Sequence, residues 1–173
     1  MSTRPRRVVT GVDADGRSTI VADGAPAAEL VRPGGATITE IWRADRLPAP
    51  FADHAALAAQ TVVAPAGAGL AVRVCRFPPD TDMDAETYRR YTASVAASYA
   101  ADPGAPLHRT DTVDVVTVIA GELWLVTETA ETMLAAGDSV VQRGTRHAWR
   151  NRSSQPAVVL AVMVGAGHAA AGS

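Results

Sequence analysis

Hydrophobic and polar residues alternate with a period of two along most of this chain, a pattern that predicts β-strands. The clearest predicted strands are Leu70–Phe77, Glu122–Thr127 and Ala157–Val164, each next to a proline or glycine. Further strands are predicted at Val8–Thr10, Ser18–Val21, Ala36–Arg43, Asp114–Ile119, Thr132–Leu134, Ser139–Gln142 and His147–Asn151. Many short strands joined by glycine-containing turns predict an all-β barrel or sandwich.

One helical insertion interrupts this pattern at about residues 81–101, and its first residues have the spacing of a capping box. Tyr88, Tyr91 and Tyr99 fall on one face of the predicted helix. We expect this face to pack on a sheet. The alternative is a lid whose phenol groups face a pocket.

The predicted elements divide the chain into three parts. Residues 1–69 form an N-terminal β-ribbon and a connecting loop that packs on the barrel, and residues 70–165 form the barrel. Residues 166–173, rich in glycine and alanine, form a flexible tail.

Composition narrows the function further. The chain has 173 residues, of which 47% are hydrophobic, which suits one domain with a single core. All 16 basic residues are arginine, which excludes Schiff-base lysines and the P-loop lysine. A net charge of -2 without a basic cluster argues against nucleic-acid binding, so we expect a small-molecule or protein partner.

The chain also lacks the apolar stretch of roughly 18 residues that a membrane span requires, so no membrane partner is expected. Its single cysteine, Cys75, cannot form a disulfide within the chain, and no signal-peptide pattern follows Met1. These features predict a cytoplasmic protein.

Two ordered motifs lie in the C-terminal part of the chain, and the first runs from His108 through Thr110 and Asp114 to Gly121. Its spacing resembles that of the first motif of the cupin superfamily. Thr110 stands where the family has a second histidine, and Asp114 stands where it has a glutamate.

The second motif follows fifteen residues later and contains Gly137-Asp138, Gly144, His147 and Asn151. Its spacing departs from the family pattern by one residue between the two glycines. Three polar side chains at its turn are expected to face solvent: Gln142, Arg143 and Arg146.

The resemblance implies a small single-domain jelly-roll barrel with a pocket at one end. In most cupins the equivalent motif positions hold one divalent metal through three histidines and a glutamate. The resemblance therefore implies a transition metal, iron, manganese, nickel or zinc, bound by His108, Asp114 and His147. Two histidines and one carboxylate are a sufficient ligand set, although Thr110 is a poor ligand.

Without a metal, His108, Asp114 and His147 are candidates for catalytic acid and base groups. A pocket histidine titrates near neutral pH, and a nearby carboxylate would fix its tautomer and raise its pKa. The remaining alternative is that both histidines are satisfied core residues of a cupin that has lost its activity.

Five further residues are candidate substrate contacts: Arg73, Tyr88, Tyr91, Thr110 and Trp149. Arg73 and Arg76 lie on opposite faces of one predicted strand, so one of them points into the barrel. A buried arginine would suit a carboxylate or enolate, or it would be neutralised by a structural acid. Trp149 shares the face of His147 and is expected to form a pocket wall.

These observations predict a small-molecule enzyme of the lyase or isomerase type that catalyses dehydration, decarboxylation or a related proton transfer. Its substrate would be a small oxygenated acid or a polyketide-like metabolite. The alternatives are a mononuclear non-heme metal dioxygenase and a non-catalytic ligand-binding cupin. The ribbon of residues 6–24 resembles the strands that many cupins exchange, which implies a homodimer.

Overall fold

The computed structural model describes residues 4–49, 64–65, 67–99 and 107–167. Most of the predicted connecting loop, residues 100–101 of the predicted helix and residues 168–173 of the predicted tail lie outside them. The described elements are β1 (Arg7–Val12), β2 (Ser18–Gly24), β3 (Glu29–Val31), β4 (Thr37–Ala44), β5 (Leu70–Phe77), α1 (Ala85–Tyr99), β6 (Thr112–Ala120), β7 (Glu122–Thr127), β8 (Glu131–Ala135), β9 (Ser139–Arg143), β10 (His147–Arg150) and β11 (Ala157–Gly165).

The strands form three antiparallel sheets. β1 and β2 pair with each other as the predicted ribbon, and a three-stranded sheet has the order β10-β7-β8. The largest sheet has the order β3-β4-β5-β11-β6-β9. β3 and β4 precede residue 70, yet β4 pairs with β5 along its whole length. The barrel therefore includes strands from both sides of the boundary that the sequence suggested.

The core lies between the three-stranded and the six-stranded sheets. It is built from inward-facing residues of both, because alternate side chains of a strand point to the same face. Its buried members are Val116, Val118, Leu123, Leu125, Leu134, Ala157, Val159 and Ala161. The expected all-β cupin jelly roll is confirmed.

The helix is present but begins later than predicted. Residues Asp80–Asp82 form a short 3-10 turn, and α1 starts at Ala85. The Asp84 carboxylate accepts a hydrogen bond of 2.7 Å from the backbone N–H of Thr87, so Asp84 is the capping residue. The predicted capping-box start at residue 81 is therefore wrong by one turn.

Two residues of the cupin-like motifs shape turns next to the site. Gly121 has a φ of 74°, and a Cβ there would lie 2.7 Å from the carbonyl oxygen of Pro156, so this tight crossing between sheets requires glycine. Asn151 is buried, and its amide donates to the carbonyls of Phe77 at 2.9 Å and Gln155 at 2.8 Å. It ties the end of β5 to the turn before β11.

Candidate active site

A cavity of about 80 Å³ lies inside the barrel, next to α1. This volume holds on the order of five water molecules. Its walls come from both motifs, from β5 and β11, and from the helix, which contributes Tyr91, Val95 and Tyr99. The tyrosine face of α1 therefore packs against the barrel and lines the pocket at the same time.

His108 and His147 are brought together by their backbones. The N–H of each residue donates to the carbonyl of the other, and both N···O distances are 2.9 Å. The two imidazole rings lie with their centroids 4.5 Å apart, and both rings line the cavity. One residue of each motif thus reaches the same wall.

The tautomer of His147 is fixed by the turn before β10. Its Nδ1 lies 3.0 Å from the carbonyl oxygen of Thr145, which can only accept, so Nδ1 carries the proton and Nε2 keeps its lone pair. The amide of Gln142 donates to the same carbonyl at 3.0 Å, and Gln142 is buried. The expectation that Gln142 faces solvent is wrong, because this side chain holds the turn that orients His147.

Neither histidine pairs with a carboxylate in the part of the chain described, which corrects the expectation that a nearby acid raises a histidine pKa. Burial and the neighbouring His147 lower the pKa of His108 to about 3. Burial also lowers the pKa of His147. The His108 ring stacks on Tyr99 with centroids 4.3 Å apart, and its Nδ1 is buried without a hydrogen-bond partner. Both histidines are neutral at neutral pH.

Asp114 points into the cavity from β6 and is only 6% exposed. Desolvation raises the pKa of this carboxyl, against smaller lowering effects of a hydrogen bond from Thr112 and the charge of Arg73. Its Oδ1 is buried and has no hydrogen-bond partner among the described residues. A carboxyl group with a raised pKa and a free oxygen in a cavity has the properties of a general acid or base.

Arg73 is the inward-facing arginine of β5 and is 1% exposed, whereas Arg76 does not line the cavity. One Nη atom of Arg73 lies 3.5 Å from the Glu40 carboxylate, and the other lies 3.3 Å from the sulfur of Met163. Met163 is on β11, between the strands that carry Arg73 and Asp114. The guanidinium of Arg73 therefore lies next to a structural acid, Glu40, and also lines the cavity. The structural acid and the open pocket that were predicted as alternatives are both present.

Of the other predicted substrate contacts, all but Tyr88 line the cavity. Tyr91, Thr110 and Trp149 line the cavity, and Trp149 packs edge-on against His147 with centroids 5.7 Å apart. Tyr88 is not among the lining residues; its ring packs under the guanidinium of Arg150 at 5.2 Å. Tyr88 is half-buried and lines a smaller neighbouring cavity instead.

Burial raises the pKa of Tyr91 and of Tyr99 to about 12, so both phenols remain protonated hydrogen-bond donors at neutral pH. Burial likewise raises the pKa of the Cys75 thiol to about 11, so this thiol stays protonated at neutral pH.

The donor set does not fit a mononuclear metal centre. Within the described ranges, no group of three or more His, Cys, Asp or Glu side chains is close enough to hold a metal ion. Thr110, at the position of the family's second histidine, donates to or accepts from Thr112 at 2.6 Å. Asp114 lines the same cavity but does not form such a group with His108 and His147, and the hydroxyl of Thr110 is already engaged with its neighbour.

Arg32 is a charged residue of the cavity wall that the sequence did not predict, and it lies between β3 and the turn Pro33–Gly35. No motif marks it, and the charge pattern around it is that of a surface loop. Only the packing of this segment against α1 places it in the interior.

Comparisons with known proteins agree with the two motifs. Residues 98–163 match the family model of the Cupin domain. Phomopsin biosynthesis cluster protein C' of Diaporthe leptostromiformis is 50% identical over 48 residues, which cover 27% of this chain and 25% of that protein. Oryzines biosynthesis cluster protein J of Aspergillus oryzae is 55% identical over 47 residues, 27% of this chain and 26% of that protein. The match thus spans about a quarter of these relatives.

A solved Cupin 2 conserved barrel domain protein from Salinispora arenicola is 14% identical, with 79% of this chain and 82% of that chain covered and a TM-score of 0.43. In the described residues, no helix is long and apolar enough to cross a membrane. The family match covers the part of the chain that carries His108, Asp114 and His147, so this part is similar to the Cupin domain, as the two motifs predicted.

Proposed function

We propose that this cupin is a small-molecule enzyme of the lyase or isomerase type in which Asp114 transfers a proton to or from a bound small acid. The observation that carries the proposal is the buried Oδ1 of Asp114, which faces the cavity without a hydrogen-bond partner. An unpaired polar atom in an apolar interior is costly, and a substrate atom would satisfy it.

The proton transfer follows from the groups that surround the cavity. Ionised Asp114 would take a proton from a carbon next to a carbonyl, and the electron pair of the broken C–H bond would move onto the carbonyl oxygen. The guanidinium of Arg73 and the phenols of Tyr91 and Tyr99 would stabilise that oxyanion. Return of the proton to another carbon gives an isomerase. Loss of a leaving group gives a lyase.

The two histidines would orient the substrate without changing their charge. His147 offers a lone pair at Nε2 because its Nδ1–H is used by Thr145. His108 offers a buried Nδ1 that has no partner in the protein. Neutral imidazoles suit this role, because they bind hydroxyl groups without repelling the arginine side chains.

The cavity volume of about 80 Å³ favours a small oxygenated acid over a polyketide-like metabolite. The curated relatives are named for biosynthesis clusters, which supports a metabolic intermediate as the substrate. A cytoplasmic location is part of the same proposal, and its support is the single cysteine of the chain.

A metal-assisted version would place iron, manganese, nickel or zinc at His108, Asp114 and His147, and the dioxygenase alternative would require iron and oxygen. The spacing of these side chains does not favour either version, since they do not form a three-ligand group. A non-catalytic ligand-binding cupin would use the same cavity without the proton transfer.

Deuterium exchange tests the proposal without knowledge of the full reaction. The protein is incubated in D₂O with 2-oxo, 3-oxo and 3-hydroxy acids of three to five carbons, and 1H NMR follows loss of the α-proton signals or new products. We expect exchange or conversion with at least one acid, slowed by about 10²- to 10⁴-fold in Asp114→Asn.

Asp45→Asn is the matched control, because it makes the same change at an exposed carboxylate. We expect it to react like the wild type. Thermal unfolding of both variants verifies that they are folded. Equal rates in the wild type and Asp114→Asn, or no reaction with any acid, would remove the proposal and leave a binding-only cupin.

A further inference from the structure

Arg32 is a buried arginine whose guanidinium donates its hydrogen bonds to helix α1. It is 6% exposed and lines the cavity. Its Nη1 donates to the carbonyl oxygen of Ser94 at 2.8 Å and to the Ser94 hydroxyl at 3.1 Å, and its Nη2 donates to the Ser98 hydroxyl at 3.0 Å. The guanidinium therefore lies between the helix and the cavity.

All these partners are neutral. Within the described residues, Arg32 forms no ion pair, whereas Arg73 on β5 has Glu40 at 3.5 Å. A buried guanidinium without a counter-ion is expensive, because neutral hydrogen bonds replace only part of its hydration. The helix bonds orient Arg32, but they leave its charge without compensation.

The charge of Arg32 acts on the residues that close the cavity. It lies close enough to lower the pKa values of Tyr91 and Tyr99, against the larger effect of burial, and it adds to the lowering at His108. With both histidines neutral, the charged side chains among the described lining residues are two arginines, Arg32 and Arg73, and one acid, Asp114. A ligand that fits this wall brings a negative charge of its own.

We propose that Arg32 binds the carboxylate of the substrate and, through Ser94 and Ser98, fixes α1 over the bound acid. The inference rests on the proposed function, since it assigns the acidic group of that substrate to a residue. A planar guanidinium suits a carboxylate because two of its N–H groups can donate to both carboxylate oxygens. Arg73 remains available for the oxygen that gains charge in the reaction.

Binding of acetate, with acetamide as the uncharged analogue, tests this assignment on the full chain. Isothermal titration and the acetate dependence of the thermal unfolding midpoint measure the two affinities. We expect saturable acetate binding to the wild type, no detectable acetamide binding, and a loss of about tenfold or more in Arg32→Gln. Arg150→Gln removes a guanidinium on the outer side of α1 and is expected to bind acetate like the wild type.

Two further variants keep the test valid if Arg32→Gln does not fold. Arg32→Lys keeps the positive charge and is expected to bind acetate more weakly than the wild type but more tightly than Arg32→Gln. The double variant Ser94→Ala, Ser98→Ala removes two partners in the helix and keeps the guanidinium, so acetate binding is expected to persist. Equal acetate affinity in wild type, Arg32→Gln and Arg32→Lys, or no acetate binding to the wild type, would overturn the inference.

The outcomes separate this inference from the proposed function. Acetate binding that depends on Arg32, without deuterium exchange on any acid, would refute the proton transfer and leave the anion site. Exchange that depends on Asp114, with kcat/KM unchanged in Arg32→Gln, would refute the anion site and leave the proton transfer.

Discussion

His108 and His147 exchange two backbone hydrogen bonds, with both N···O distances at 2.9 Å, and their imidazole rings lie 4.5 Å apart. This bridge joins the two motifs of the family at one point of the barrel wall. Two protonated imidazoles at this separation, both buried, would repel each other. Both imidazoles of the His108–His147 pair therefore stay neutral.

Titration of His108 by NMR tests this statement. Its pKa is lowered to about 3, so we expect its ring resonances to stay at their neutral-form shifts from pH 8 down to about pH 4. An exposed histidine would titrate near pH 6.5. A midpoint for His108 near pH 6 would contradict the buried neutral pair.

The same lowered pKa predicts how stability changes with pH. Between about pH 6.5 and 3 the unfolded chain binds a proton at His108 that the folded chain does not bind. The free energy of unfolding therefore falls as the pH falls through this window. Urea unfolding of the wild type and His108→Gln should show a smaller fall in the variant, and parallel curves would contradict the prediction.

Gly121→Ala is expected to destabilise the protein more than Gly137→Ala. Both glycines have positive φ, 74° and 99°, but only at Gly121 would the new Cβ meet a backbone oxygen at 2.7 Å. The positive φ alone costs about 1–3 kcal/mol at each site, and the contact adds to the loss at Gly121. Urea unfolding measures both variants, and equal losses would show that the Pro156 carbonyl moves away freely.

The metal content of the purified protein is the fourth test. Because the described residues form no three-ligand group, we expect protein purified without chelator to hold no more metal than the His108→Ala, His147→Ala double variant. Elemental analysis for iron, manganese, nickel and zinc measures this difference. Near-stoichiometric metal in the wild type alone would restore the metal-assisted mechanism and, with iron, the dioxygenase.

The homodimer remains a proposal, with a second copy of this chain as the partner. The ribbon of β1 and β2 forms a sheet of its own and exposes Val8, Val12 and Ile20 by 46%, 65% and 59%. Multi-angle light scattering should give the mass of a dimer for the wild type. Val12→Asp with Ile20→Asp should shift this mass towards the monomer, and a monomeric wild type would refute the proposal.

Alternation and turn residues were sufficient to locate most strands. β5 and β7 have the predicted bounds, since each is flanked by prolines or a glycine that end a strand. β3 was missed because three residues are too few for a period of two to be recognised. The start of the helix was misplaced because both Thr81 and Asp84 are residue types that can cap a helix N-terminus. In the structure, the Asp84 carboxylate accepts a hydrogen bond from one of the first free backbone N–H groups of the helix.

The sequence by itself determined the strand pattern, helix α1 and the two motifs that bring His108, Asp114 and His147 to one cavity. These are local properties, set by side-chain alternation and by turn residues such as Gly121. The tertiary structure decided which groups are neutral and, among the described residues, which oxygen has no partner and which buried arginine lacks a counter-ion. Those properties depend on burial and on neighbours distant in sequence, such as Arg32 and Ser98, so no local pattern encodes them.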